Sequence, residues 1–307
     1  MGNSSQVSHF TLGAYYETGL LRWLYFLIIL SVYILIVLSN LLLIVVICSN
    51  RTLHEPMYLF LCSLFVNELY GSTTLFPFLL VQILSDSHLI PIPFCFLQIF
   101  CMYHYASAEF FMLAAMSYDR YMAICFPLQY NTKMNVTKVS LLIFLSWFVA
   151  FVGIAVMTSL SVPLKLCGTI IDRIICGNYS IVKLACFNTK ANNIFGLLYT
   201  LLSVVPTLSL ILFTYVRILQ VCFSGSMDMR HKALGTCAPH LLSVLNFSFG
   251  CSFQIVQSRF DMNSINRVVG ILLTLYFLTV QPLFSPVVYG LKMSKIKDLC
   301  KRLLCGK

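Results

Sequence analysis

The sequence predicts an all-α membrane protein, a seven-transmembrane helix bundle with a short amphipathic C-terminal helix, and three observations predict it. Of 307 residues, 59% are hydrophobic and 10% charged, with a mean hydropathy of +0.89; soluble domains are roughly 45–50% apolar. Seven segments reach the ~20 apolar residues that cross ~30 Å of hydrocarbon. The basic residues are distributed between the two ends as positive-inside sorting demands.

Residues 1–22 are polar and lack the basic, apolar, small-residue order of a cleaved signal. They are expected to form an extracellular tail, with the first span acting as a signal anchor. The spans run over approximately 24–48, 57–80, 94–118, 139–161, 194–222, 233–257 and 268–291. They form one membrane domain over 23–291, with a cytoplasmic tail at 292–307. Only the connection at about 162–193 is long, and no 20–50-residue period repeats. The tail "GLKMSKIKDLCKRLLCGK" places Leu291, Ile296, Leu299, Leu303 and Leu304 among six basic residues, the pattern of an amphipathic helix on a membrane surface. Cys300 and Cys305 are acylation candidates there.

A net charge of +10 raises nucleic acid as a partner, but its placement points to the lipid bilayer and to no nucleic acid. With the amino terminus outside, the inner side receives Arg51, Arg120, Lys133, Lys138, Arg217, Arg230, Lys232, Lys292, Lys295, Lys297, Lys301, Arg302 and Lys307. The outer side receives Arg22, Lys165, Arg173, Lys183, Lys190, Arg259 and Arg267. Thirteen against seven places the amino terminus outside, and an odd number of spans then puts the carboxyl terminus inside; the expected location is the plasma membrane. Of 13 cysteines, Cys95, Cys167, Cys176 and Cys186 fall at the oxidising face, where four thiols allow three pairings. Asn3 in "NSS" is the preferred glycosylation acceptor, with Asn178 in "NYS" behind it.

Two carboxylates lie inside the spans. Glu109 is fourteen residues from Cys95, roughly 21 Å inward, and Glu68 is twelve residues from Pro56, roughly 18 Å in from the opposite side. They share a depth and should face the bundle interior. At close range such a pair needs a cation or a proton on each acid; alternatively, each simply ties helices together through hydrogen bonds. Asp119 and Arg120 lie roughly 15 Å further on, at the inner boundary, where Asp119 can hold Arg120 through its long side chain until a cytosolic partner competes.

Five stretches, in order, carry a resemblance: "LHEPMYLFLCSLFVNE" (53–68), "MSYDRYMAICFPLQY" (116–130), "KLACFNT" (183–189), "KALGTCAPH" (232–240) and "PLFSPVVYG" (282–290). Together they closely resemble the olfactory receptors, a branch of the rhodopsin-like G-protein-coupled receptors, over essentially the whole chain. "SRF" at 258–260 is similar to the His-Arg-Phe of the class I, fish-like branch. The resemblance implies a small-molecule odorant as ligand and a heterotrimeric G protein of the stimulatory, cAMP-raising type as partner. It implies a sodium ion at Glu68 and Glu109, where most members have Asp at the first position, and disulfides Cys95–Cys176 and Cys167–Cys186. It implies switch residues at Asp119, Arg120, Tyr121, Tyr215 and Tyr289. Two departures stand out: Ser285 replaces the usual Asn of the seventh span, and Ser248 occupies a position that is commonly aromatic, followed by Phe249.

Ligands of such bundles bind between helices in apolar pockets with few polar groups. The third span offers Met102, Tyr103, Ala106 and Ser107; the fifth offers Tyr199 and Ser203; the sixth offers Ser248, Cys251, Ser252, Ile255 and Arg259 at helical spacing. Small residues at this spacing also serve helix packing. Arg259 carries a fork suited to a carboxylate, or else pairs with Asp172 or Asp261. His104 beside Tyr103, without a convergent second ligand, reads as a packing residue.

Other functions fit less well. A retinal protein needs a lysine within the seventh span, and Lys292 lies at its end. A transporter would show inverted repeats and broken helices. No His-Glu-x-x-His, Gly-x-Ser-x-Gly or phosphate loop suggests an enzyme. A non-olfactory receptor for another small ligand remains the alternative within the fold.

Overall fold

The computed structural model describes residues 8–15, 21–224, 227–259 and 267–305. In chain order they form β1 (His9–Leu12), α1 (Leu21–Ser49), a 3-10 turn at Arg51–Leu53, α2 (Pro56–Leu84), β2 (Leu89–Pro91), α3 (Ile92–Cys125) and α4 (Pro127–Lys133). They continue with α5 (Val136–Ser161), β3 (Ile170–Ile171), α6 (Asn178–Lys183), α7 (Lys190–Ser224), α8 (Met227–Arg259), α9 (Arg267–Lys292) and α10 (Ser294–Cys305). Seven long helices thus occupy the seven segments expected from composition. Six of them are long and apolar enough to cross a membrane. The remaining one, α8, is as long but carries Asp228, Arg230 and Lys232 near its start.

Helix starts follow local chemistry. Pro56 and Pro127 stand at first helical positions, where a missing N–H costs nothing. Asn135 caps α5 by accepting from the Lys138 amide at 2.9 Å. Interior prolines interrupt α2 (Pro77), α7 (Pro206), α8 (Pro239) and α9 (Pro282, Pro286). Membrane helices tolerate such prolines when a neighbour satisfies the freed carbonyl.

The most deeply buried helix, α3, packs against α2, α5, α7 and α8, while α9 closes the ring between α8 and α1. Close approach of α2 to α3 depends on Gly71, where an added Cβ would fall 2.7 Å from the Tyr105 ring. The lipid-facing surface is apolar, with Leu38, Val45, Phe148 and Leu212 among its exposed residues.

One end is sealed by a three-stranded sheet of order β2-β1-β3, antiparallel in the first pair and parallel in the second. Phe10, Leu12 and Ile90 bury beneath it. Both disulfides lie at this end: Cys95–Cys176 fastens α3 to the long connection, and Cys167–Cys186 closes that connection on itself. Asn178 is buried and accepts from Ser161 at 2.8 Å, which removes it as a glycan acceptor. Asn3 lies outside the described residues, as do Asp261 and the side chain of Cys305; Cys300 is half-buried.

Candidate ligand-binding site

Below the sheet, α3, α7, α8, α9 and the 170–184 connection enclose a cavity of about 890 Å3, within the usual size of a small-molecule site. Its floor is apolar, formed by Phe110, Val204 and Phe277. Its middle carries Tyr103, Ser107, Tyr199 and Thr200. Tyr199 donates to Ser107 at 3.0 Å, and its ring lies so close to α5 that a Cβ at Gly153 would approach it to 1.9 Å. The buried Nε2 of Gln254, on the cavity wall, has no hydrogen-bond acceptor among the described residues, so a ligand oxygen can take that role.

Of the residues proposed from sequence, Met102, Tyr103, Ala106, Ser107, Tyr199, Ser203, Cys251, Ile255 and Arg259 line this cavity. Ser203 spends its hydroxyl on the Tyr199 carbonyl at 2.7 Å. Ser248 and Ser252 do not line it, and Ser252 is exposed. The inward face of α8 is instead Phe247, Cys251, Gln254 and Ser258, because burial of the large Phe247 ring sets the helix rotation. Phe247 packs 4.9 Å from Phe110 and 5.9 Å from Phe277, whereas Phe249 is exposed. Phe247 is therefore the buried aromatic ring of this stretch of α8. The reading also missed the contribution of the connection: Ile174, Tyr179 and Arg173 all line the cavity. His104 packs among Tyr70, Phe100, Trp147 and Phe151, as a packing residue.

The sheet end of the cavity is cationic. Arg259 lies 4.6 Å over the Tyr179 ring and donates to Asn193 Oδ1 at 3.3 Å. Arg173 reaches from the connection to the Gln257 carbonyl on the last turns of α8, where the helix dipole favours a cation. Burial lowers the Arg173 guanidinium from its usual pKa. Among the described residues no carboxylate forms an ion pair with either arginine, although Asp172 lines the same cavity.

Beneath the Phe110–Phe247–Phe277 layer lie the two acids. Glu68 and Glu109 are both completely buried and are joined through Gln281 and Ser285 in one hydrogen-bond network. Glu109 accepts from Asn67 at 2.9 Å and Gln281 at 3.2 Å; Glu68 accepts from Tyr105 at 2.8 Å and Ser285 at 3.2 Å. Ser285, which replaces an expected Asn, thus keeps a polar link between α9 and α2.

At the opposite end Arg120 donates to Asp119 through Nε at 3.1 Å and through a second, shorter contact. Tyr130 of α4 donates to the other Asp119 oxygen at 2.8 Å. Tyr215 and His240 Nδ1 are 2.7 Å apart, and His240 Nε2 lies 3.0 Å from the Leu113 carbonyl. A carbonyl only accepts, so Nε2 bears the proton and Nδ1 accepts from Tyr215. Tyr289 is buried, edge-on to Phe65. Tyr121 stands apart, packing on Phe126 and Phe213. The cleft bordered by Arg120, His240 and Tyr289 holds only about 10 Å3, so this end is closed.

A seven-helix membrane bundle with a cavity of small-molecule size at one end and a restrained Asp-Arg pair at the other has the architecture of a G-protein-coupled receptor. Residues 29–307 match the olfactory receptor family. The chain is 31% identical to Olfactory receptor 8D1 of Homo sapiens, covering 100% of this chain and 99% of that one. It is 33% identical to Olfactory receptor 6E1 of Mus musculus, over 97% and 96% of the two chains. It is also 33% identical to Olfactory receptor 52D1 of Homo sapiens, over 85% and 83%. The chain belongs to the olfactory receptor family; it is a multi-pass membrane receptor and not an enzyme.

Proposed function

We propose that this olfactory receptor detects small acidic odorants, with the carboxylate held by Arg259 and Arg173 and the apolar body resting on Phe110, Val204 and Phe277. The observation that carries this reading is the presence of two guanidiniums in one cavity, neither in an ion pair with a described carboxylate. A part-buried cation that no described carboxylate pairs with gains from one, and a ligand carboxylate supplies it through charge-assisted hydrogen bonds. "SRF" at 258–260 supports the class I branch.

The sheet end faces outward and the Arg120 end faces the cytosol, a direction supported by the thirteen-to-seven distribution of basic residues. Residues 1–22 are then the outer tail, with Asn3 its glycan acceptor, and 292–307 the cytoplasmic tail. Ligand binding favours the state in which α8 moves away from α3, freeing Arg120 and opening the Tyr215–His240 region to a stimulatory G protein.

Glu68 and Glu109 are the residues that would hold a sodium ion. Their carboxylates, the Ser243 and Ser285 hydroxyls and the partnerless buried Asn67 Oδ1 form a hard-oxygen set suited to such a cation. When bound, the ion supplies the positive charge that two adjacent buried acids need.

Cells expressing the receptor with a stimulatory G protein, challenged with matched aliphatic acids, amides and alcohols, test the reading. The acids raise cAMP at lower concentration than their neutral counterparts. Equal potency across each matched set would contradict the acidic-ligand reading, and no cAMP response to any ligand that binds would contradict the coupling.

A further inference from the structure

We propose that Cys48 and Cys62 are a modification site, a pair of thiols that peroxide converts to a disulfide between α1 and α2. Their sulfurs lie 3.9 Å apart across the helix interface. Cys48 is exposed and Cys62 partly so. Cys48 stands one residue before the end of α1, and Cys62 two turns into α2. Both therefore lie next to the short link formed by the 3-10 turn at Arg51–Leu53.

That link falls at the cytosolic end under the orientation proposed above, and the compartment assignment rests on that orientation. The cytosol keeps thiols reduced, and disulfides that form there are transient and redox-sensing. This separates the pair from Cys95–Cys176 and Cys167–Cys186, which close at the other end of the bundle.

The chemistry balances with hydrogen peroxide as the oxidant. The Cys48 sulfur, the more exposed, attacks one peroxide oxygen; the O–O bond breaks, water leaves, and a sulfenic acid remains. The Cys62 sulfur then displaces hydroxide from the Cys48 sulfur, forming the S–S bond and a second water. Two thiols lose two electrons and one peroxide gains them.

A disulfide requires the sulfurs to close from 3.9 Å to about 2.05 Å, a movement of about 2 Å. The bridge encloses residues 49–61, the link and the first turns of α2, including Glu55, whose carboxylate meets Lys295 of α10 at 2.9 Å. Oxidation thereby staples α1, α2 and the link that joins them on the face that carries α10.

The test uses full-length receptor in native membranes exposed to dilute hydrogen peroxide, followed by alkylation of remaining thiols and peptide mass spectrometry without reduction. The expected result is a linked peptide pair containing Cys48 and Cys62, at least ~10-fold more abundant than any link from Cys48 to another cysteine, reflecting the high effective concentration of touching groups. The link disappears on later treatment with thioredoxin. An oxidised sample in which Cys48 and Cys62 stay alkylatable, or in which Cys48 is joined chiefly to glutathione or another cysteine, overturns the proposal. A membrane-permeant trivalent phenylarsenical gives an independent check, since it captures two thiols at once without oxidation. Wild-type receptor loses alkylation at both positions together, whereas Cys62→Ser leaves Cys48 alkylatable; arsenical that fails to protect the wild-type pair also overturns it. If instead the orientation were reversed, the link would form but resist the cytosolic reductant added from the sealed inner side, which distinguishes the two failures.

Discussion

Asn40 of α1 donates its side-chain amide to the carbonyl of Pro282 in α9 at 2.9 Å. Pro286, four residues on, has no N–H to give that carbonyl, so the proline kink and the asparagine form one device. Replacing Asn40 by Leu leaves the Pro282 oxygen buried and unpaired, at a cost of about 1–3 kcal/mol. A thermal melt of purified receptor in detergent is expected to show a lowered midpoint; an unchanged midpoint would deny the pairing its role.

Gly71 and Tyr105 form a second such pair. Gly71→Val places a side chain where only 2.7 Å separates the first new carbon from the Tyr105 ring, and the ring must move away from Glu68. Overpacking of this kind costs about 1–3 kcal/mol. Combining it with Tyr105→Ala makes room, so the double variant should lose less than the sum of the single losses. Simple additivity in melting experiments would show that the two do not touch.

Asp119 is buried and holds Arg120. With Asp119→Asn the charge that restrains Arg120 is gone, and each ~1.4 kcal/mol of bias toward the open state multiplies its population about tenfold. Basal cAMP at matched surface expression is expected to rise several-fold. Basal signalling equal to wild type would show that the pair does not restrain the switch.

Gly196 of α7 gives the Arg259 guanidinium its place: a Cβ there would lie 3.1 Å from its terminal nitrogen. Gly196→Val keeps the charge but displaces the fork from Asn193. Potency for an acidic agonist should fall about 10-fold while that of a neutral one changes less, as loss of one charge-assisted bond implies. Concentration-response curves for a matched acid and amide decide it, an equal loss for both pointing to general damage of the cavity.

Much of the fold was legible because the bilayer imposes it: the expected span 24–48 and the observed Leu21–Ser49, or 268–291 and Arg267–Lys292, differ by a few residues. Depth arithmetic placed Glu68 and Glu109 together, and the structure brings them into one network. The sheet was not legible, since β1, β2 and β3 are two to four residues long and β1 pairs with residues far along the chain, His9 with Pro91 and Thr11 with Ile170; their pattern is set by partners, not by local periodicity. The inward face of α8 was misjudged at Ser248 and Ser252 because small polar residues were weighted above Phe247, whose burial decides the rotation. Arg173 was counted for topology alone, and only the fold of its connection brings it beside Arg259's helix.

We propose that a carboxylate sits between Arg259 and Arg173 when the receptor signals. The most direct measurement is the cAMP concentration-response of Arg259→Gln against wild type, for one aliphatic acid and its amide, at matched surface expression. Potency for the acid is expected to fall roughly 10–100-fold, equivalent to about 1.5–3 kcal/mol, with the amide little affected. A variant that responds to the acid at wild-type concentrations would contradict it.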